Sequence, residues 1–230
     1  MKRTPVVGMI SSWREGRLAY AAAASLLQAC DRVYVLEGPV DGVDTTEGEP
    51  SEWPNDGHLI IREAPSYATD AAKRTALLRW VQNKNPGPCW GITLDGDEVL
   101  LFPELLRDYL IRAERENERA GMRLKVCEAD GQVYESGVRC LRVDHVEGFV
   151  LSGYQITLKD SAAVVTLPMV PSEKAPIMGE PHILHRSYLR PPARNLAAAR
   201  LSSQELDLLD ELTDNRILEV AGSWWEQKPK

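Results

Sequence analysis

Within its first hundred residues the chain alternates short β-rich runs with longer helical patterns, a rhythm produced by βαβ units on a parallel sheet. The run PVVGMIS at 5–11 predicts a first strand, RLAYAAAASLLQA at 17–29 a helix packed on it, and RVYVL at 32–36 a second strand. A Gly-, Pro- and Asp-rich stretch at 37–57 is too polar and broken to be regular, and loops of that length in compact domains are usually functional or mobile. HLIIRE at 58–63 predicts a third strand and 67–83 a helix, which Asn-Pro-Gly-Pro at 85–88 ends. WGITL at 90–94 then predicts a buried strand stopping at Asp95-Gly96-Asp97-Glu98. Pro103 opens the next helix, running to about residue 120, with Glu98 near its start.

From 122 to 167 the pattern changes to short strands with turns expected at Asp130-Gly131, Glu147-Gly148 and Asp160, which predicts an antiparallel extension of the same sheet. Ser203 caps a late helix. No linker is evident, so the expectation is α/β, a mixed sheet flanked by helices, in a single domain over 1–230 with halves at 1–120 and 121–230. At 230 residues and 43% hydrophobic the chain has enough apolar surface for this. Area scaling lets about 70% of the unfolded surface be buried without disulfides or metals, which excludes disorder and mini-protein scaffolds.

Cys30, Cys89, Cys127 and Cys140 include no close pair, so neither a zinc knuckle nor a redox CxxC is present, and they read as buried thiols in a reducing compartment. The apolar run after the basic start MKR is about six residues, far below the roughly 18 that span a bilayer. A cytoplasmic protein without a membrane span is expected. A net charge of −7 argues against non-specific nucleic-acid binding. One patch runs against the total: residues 181–204 hold His182, His185, Arg186, Arg190, Arg194 and Arg200 until Gln204 with no acid.

Chemistry concentrates at Asp95 and Asp97. Two apart at the carboxyl end of a strand, they are expected to point into one cleft at an exposed strand end while Gly96 lets the chain turn. Ligands of open α/β sheets sit outside these strand ends, and paired carboxylates there suit a hard divalent cation shared with phosphate oxygens. The alternative is a polar turn between strand and helix.

Three stretches, VVGMISSWREGRLAYAAAASLLQACDRVYVLEGPVDG, AAKRTALLRWV and WGITLDGDEVLLFPELLRDYL with its D-x-D-E, together resemble the nucleotide-sugar glycosyltransferases of the GT-A fold, family 2-like, over residues 5–111. The resemblance implies a GT-A mixed sheet, a nucleotide diphosphate sugar as donor, UDP-linked by preference, and Mn2+ or Mg2+ as cofactor. It places Ser11 and the Trp13-Arg14-Glu15 turn at the base and ribose, although the family's usual Asn-Glu-Glu is missing there. Glu37 stands where the second strand supplies an acid to the base, and Asp41 where a D-G loop does. Lys73 and Arg74 match a basic step that touches base or diphosphate, the alternative being a solvated helix face. Asp97 would hold the cation as the diphosphate leaves, with Asp95 accepting from ribose or joining the metal shell through water.

The resemblance further implies a C-terminal histidine on the metal and basic residues over the diphosphate. His185 is the candidate ligand, with Arg186 and Arg190 the candidate arms, against the common role of histidine as a structural hydrogen-bonder. Pro171, Pro176, Gly179 and Pro181 before the histidines and Pro191-Pro192 after them suggest a lid that closes on the donor. An inverting transfer needs a carboxylate to take the acceptor proton. Glu147, Glu180 and Asp144 are the candidates. Trp224-Trp225 would be an acceptor platform or a staple for the tail. The acceptor hydroxyl could belong to a saccharide, a protein or a modified nucleic-acid base. The rival functions are a sugar-phosphate nucleotidyltransferase, disfavoured because SSWREGR has one glycine where a triphosphate loop needs several, and a non-catalytic nucleotide-sugar-binding module.

Overall fold

The structure, a computed structural model, describes residues 3–41, 50–115, 121–127, 133–150, 155–159, 164–166, 170–171 and 181–186. The opening half follows the expected alternation: β1 (Val6–Ser12), α1 (Arg17–Leu27), β2 (Arg32–Glu37), β3 (Leu59–Glu63), α2 (Asp70–Lys84) and β4 (Trp90–Asp95). β1 pairs in parallel with β2 and with β4, and β2 in parallel with β3.

Strands β1, β2 and β4 are buried on both faces, and strand alternation sorts their side chains into two cores. Val6, Ile10, Val33, Val35, Trp90, Ile92 and Leu94 meet α1 through Ala22, Ala23 and Leu26. Val7, Met9, Tyr34 and Leu36 meet α2 through Ala71, Leu77, Leu78 and Val81. The alanines of α1 let it lie close: a Cβ on Gly8 would press on both Leu26 and Val33. Thr69 caps α2, its hydroxyl accepting from Ala72 N at 3.1 Å, and Asn85 closes the far end by donating to Val81 O at 2.9 Å.

After β4 the structure departs from the expectation. Gly96 and Asp97 form a tight turn, and Glu98 opens a further strand, β5 (Glu98–Leu101), where a lead-in to the helix was expected. A 3₁₀ turn at Pro103–Leu105 then leads into α3 (Leu106–Arg115). The strands that follow are β6 (Gly121–Cys127), β7 (Val133–Arg142), β8 (Val146–Val150), β9 (Gln155–Leu158), β10 (Val164–Thr166), β11 (Val170–Pro171) and β12 (His182–His185). The antiparallel extension divides. β7, antiparallel to β4, carries the main sheet onward in the order β3-β2-β1-β4-β7-β6-β12-β5, with β11 on β7, whereas β8, β9 and β10 form a separate sheet. That second sheet sits on α2, where Gln82 Nε2 donates to Val143 O and Val146 O, and Phe149 N donates to Thr75 Oγ1. Glu147-Gly148 is not a turn but lies inside β8, with a register irregularity; the turn comes earlier, at 143–145. The turns expected at Asp130-Gly131 and Asp160 and the late helix lie outside the described residues.

The strand order has a geometric consequence. β4 and β5 are four steps apart in the sheet, about 19 Å if it were flat at about 4.8 Å per strand. Yet only Gly96 and Asp97 join them, and three Cα steps reach about 11 Å at most. The sheet therefore curls back on itself, and Asp97 sits at the seam. There β12 lies between β6, to which it is parallel, and β5, to which it is antiparallel, with His185 opposite Glu98.

Candidate functional site

The carboxyl ends of β2, β1 and β4 present two rows of side chains, one on each face of the sheet. On the α2 face Ser11 and Asp95 are register partners. Arg74, one turn after Asp70 on α2, spans both acids: its Nη2 lies 2.5 Å from Asp95 Oδ1 and its Nε 2.6 Å from Asp70 Oδ2. Burial disfavours the guanidinium's charge, but Asp95 and Asp70 outweigh it and hold the Arg74 pKa well above its usual value. Arg74 is thus a partly buried counter-ion to Asp95. Behind it, Met9, Ser11, Thr93 and Phe149 border a void of about 10 Å³, room for one water and no more.

On the α1 face the row runs Glu37, Ser12 and then Gly96. Arg14 adopts a left-handed conformation (φ 51°), which aims its backbone N–H at Glu37 Oε1, 2.7 Å away. Ser51, from the long loop, donates to the same oxygen at 2.9 Å and accepts from Glu15 N at 3.2 Å. Glu37 Oε1 is thereby fixed, while Glu37 Oε2 and Ser12 Oγ are buried with no hydrogen-bond partner among the described residues. A Cβ on Gly96 would strike the Glu15 carboxylate and the Ser12 hydroxyl. A side chain at 96 would need both of those groups to shift, whereas the turn itself asks no left-handed conformation of Gly96.

Asp97 and His185 meet at the seam. The Asp97 side chain is fully buried, not at an exposed strand end as the sequence suggested, and its Oδ2 lies 3.2 Å from His185 Nε2, whose ring is 27% exposed. The pair does not include Asp95. Strand alternation ends at Asp95, so the two aspartates take different partners, Asp95 facing Arg74 and Asp97 facing β12. Glu98 braces the turn, its Oε2 accepting from Asp95 N at 2.8 Å and its Oε1 from Arg139 Nη2 at 2.6 Å. Burial raises the Glu98 pKa, and Arg139 only partly offsets that. Ser51, Glu98 and Arg139 were absent from the sequence-derived candidates. Glu98 alone carried a signal, its place beside Asp97.

The remaining candidates divide. Lys73 is neither solvated nor facing a phosphate: it is 3% exposed and donates to Ser12 O at 3.0 Å beneath the end of β1. Asp41 is exposed beyond β2, accepts from Ser66 Oγ, and donates from its own N–H to Tyr67 O at 2.8 Å. Arg186 is buried and bonds main-chain carbonyls of Asp97 and Leu18. His182, three residues from His185 on one strand and so on the opposite face, packs its ring against Phe102 at 5.4 Å.

Glu147 stands exposed on β8, 3.8 Å from Arg79 and about one and a half turns along α2 from Arg74. Asp144 sits at the opposite end of β4, where it accepts from Cys89 N and pairs with Arg142 at 2.9 Å. Neither is brought to the Asp95–Asp97 turn. The lid expected around the histidines is not what holds them, since 182–185 is a strand paired on both edges. Glu180, Arg190, Arg194, Arg200, Trp224 and Trp225 lie outside the described residues. Of the cysteines, Cys30, Cys89 and Cys140 are buried as expected, Cys127 only in part, and all four are free. No helix among the described residues is long and apolar enough to cross a membrane.

The donors at the seam fit a divalent cation in part. Two ligands at about 2.1 Å from one ion and at right angles lie about 3.0 Å apart, close to the Asp97–His185 gap. Among the described residues no group of three His, Cys, Asp or Glu side chains gathers around them, so the rest of a coordination shell would come from ligand oxygens and water. Imidazole beside carboxylate suits Mn2+ better than Mg2+, which favours oxygen alone.

Comparison with protein-family models and with curated proteins finds no significant match to this chain.

Proposed function

We propose that this protein is a metal-dependent glycosyltransferase of GT-A type, moving a sugar from a nucleotide diphosphate sugar, preferentially UDP-linked, to a hydroxyl acceptor. One observation carries the reading: Asp97 and His185, 88 residues apart in sequence, lie 3.2 Å apart at the carboxyl end of β4, next to a parallel β3-β2-β1-β4 array. Ligands of open α/β sheets bind at that edge. The four free cysteines fit a reducing, cytoplasmic setting.

Each residue has a part that follows from its surroundings. Asp97 and His185 would hold the cation, which when bound supplies positive charge to the diphosphate leaving group. Asp95, paired with Arg74, accepts from a donor hydroxyl at the strand end. Glu37, fixed through one oxygen by Arg14 N and Ser51, offers its other oxygen to an N–H of the nucleoside. Ser12 offers its hydroxyl beside it. The acceptor is a saccharide, a protein or a modified nucleic-acid base. Among the described residues the base that takes its proton is unassigned, since Glu147 and Asp144 stand away from the turn.

Nucleotide release from a panel of sugar donors, measured with Mn2+ and with EDTA, tests the reading. Release from one donor with Mn2+ and none with EDTA supports it; tight binding of a donor without release, with every acceptor class present, supports a binding module instead.

A further inference from the structure

The sequence offers Arg186 as an arm over a diphosphate, but its surroundings give it another task. Its backbone N–H donates to Asp97 O at 3.0 Å, its Nε approaches the same carbonyl at 3.4 Å, and its Nη2 donates to Leu18 O, in the first turn of α1, at 3.0 Å. The residue is 8% exposed. Its head group therefore points inward, to main chain, and not toward the open edge where a ligand would lie. It follows His185 directly and grips the carbonyl of Asp97, so it touches the main chain of both members of the 3.2 Å pair.

We propose that Arg186 is a positioning residue that sets the Asp97–His185 gap by tying the end of β12 and the Gly96-Asp97 turn to α1. This rests on the metal-dependent reading only for its consequence, not for its geometry. The β4–β5 turn is two residues long, and the β5–β12 register reaches Asp97 only through its last rung, the Arg186 N–H on Asp97 O, with nothing in that ladder tying the turn to α1. A guanidinium supplies what the ladder does not. Its planar fork of donors reaches two carbonyls of two elements at once, whereas a lysine ammonium is a point charge on a flexible stem.

The experiment compares the full chain with Arg186→Lys and Arg186→Ala in three readouts. Mn2+ affinity by electron paramagnetic resonance is expected to fall about 10-fold or more in both, the usual cost of losing a group that orients a ligand, and millimolar methylguanidinium is expected to restore most of it in Arg186→Ala but not in Arg186→Lys. UDP binding in EDTA, by calorimetry, is expected to stay within about twofold of the parent, because the guanidinium does not touch the diphosphate. Ring 1H–13C resonances of His185 at fixed pH without metal are expected to move, with those of His58 and His145 unmoved. A large loss of UDP affinity in EDTA would make Arg186 a diphosphate ligand and overturn the proposal; so would unmoved His185 resonances in a folded variant. If the parent binds neither Mn2+ nor UDP while the His185 resonances still move, the glycosyltransferase reading fails and the positioning role stands.

Discussion

The two ends of β4 both gather acids and arginines, yet they use them differently. At the amino end Asp31 accepts from Val6 N, Arg3 and Arg107, and Asp144 from Cys89 N and Arg142, so these carboxylates have opposite charges and open solvent beside them. At the carboxyl end Glu98 and Asp97 are buried, Glu98 faces Arg139, Asp97 faces a histidine, and Glu37 and Ser12 keep buried acceptor atoms with no hydrogen-bond partner among the described residues. Burying an acceptor without a partner has a cost that folding alone does not recover. The amino end has the composition of a structural clasp, whereas the carboxyl end buries polar atoms for which the described residues supply no partner.

The sharpest break in this comparison is Arg139→Ala. With side chains only 8% and 2% exposed, the Arg139–Glu98 pair is a buried one, and removing one partner strands a charge at a cost of about 3–5 kcal/mol. Thermal melting is expected to drop on the order of 10 °C for a domain of this size. A drop of only a degree or two would mean that solvent reaches Glu98 and that the carboxyl end is no more buried than the amino end.

Next comes Asp97→Asn, which keeps the shape and removes the charge. It is expected to cut donor turnover about 10²–10³-fold, the range seen when one group stabilising a developing charge is lost. Unaltered turnover would end the glycosyltransferase assignment. Asp95→Asn should do less: nucleotide affinity by calorimetry is expected to fall about tenfold, as for one charge-assisted hydrogen bond, while Asp70 still holds Arg74. An equal loss in both variants would show that Asp95 shares the metal with Asp97, contrary to its pairing with Arg74.

How much of this was legible in the residues follows from the length of each signal. β1, β2 and β4 are continuous apolar runs buried on both faces, which read directly as parallel strands. β5 and β12 are four residues each and follow turn residues or proline, so EVLL read as the lead-in to a helix and HILH as part of a lid. His185 was visible as chemistry, but the pairing that carries it to Asp97 depends on a sheet that curls, a long-range property no local pattern encodes. The split between Asp95 and Asp97 was hidden for a related reason: alternation predicts one face for both, and it stops holding where the strand stops. Lys73 illustrates the limit of charge patterns, since nothing about an Ala-Ala-Lys-Arg step tells which basic residue is drawn under the sheet.

The smallest expected effect belongs to the amino end, and its sign follows from the direction in which its carboxylates are shifted. Burial works against the Asp31 charge, but the Val6 N–H and Arg107 outweigh it, so its pKa lies below the ordinary 3.8. The unfolded chain, with the ordinary value, binds the proton first as pH falls; the stability from Asp31 is therefore complete above the unfolded pKa and disappears as pH drops through the folded one. Asp144 is lowered as well, with the Arg142 hydrogen bond outweighing its burial, so the two share the acid limb. Asp31→Asn should then cost less than about 1 kcal/mol at neutral pH, since the Asp31 side chain is 40% exposed and its ion pairs are screened. In urea titrations from about pH 7 down to about pH 2.5, the midpoints of parent and variant are expected to converge, because protonation removes from the parent what the substitution removes from the variant. Donor turnover should be untouched, as Asp31 lies a whole strand away from Asp97. Midpoints that stay apart at the acid end would mean that Asp31 acts through shape and hydrogen bonding to Val6 and not through charge, and a loss of turnover would mean that the clasp at one end of β4 governs the site at the other.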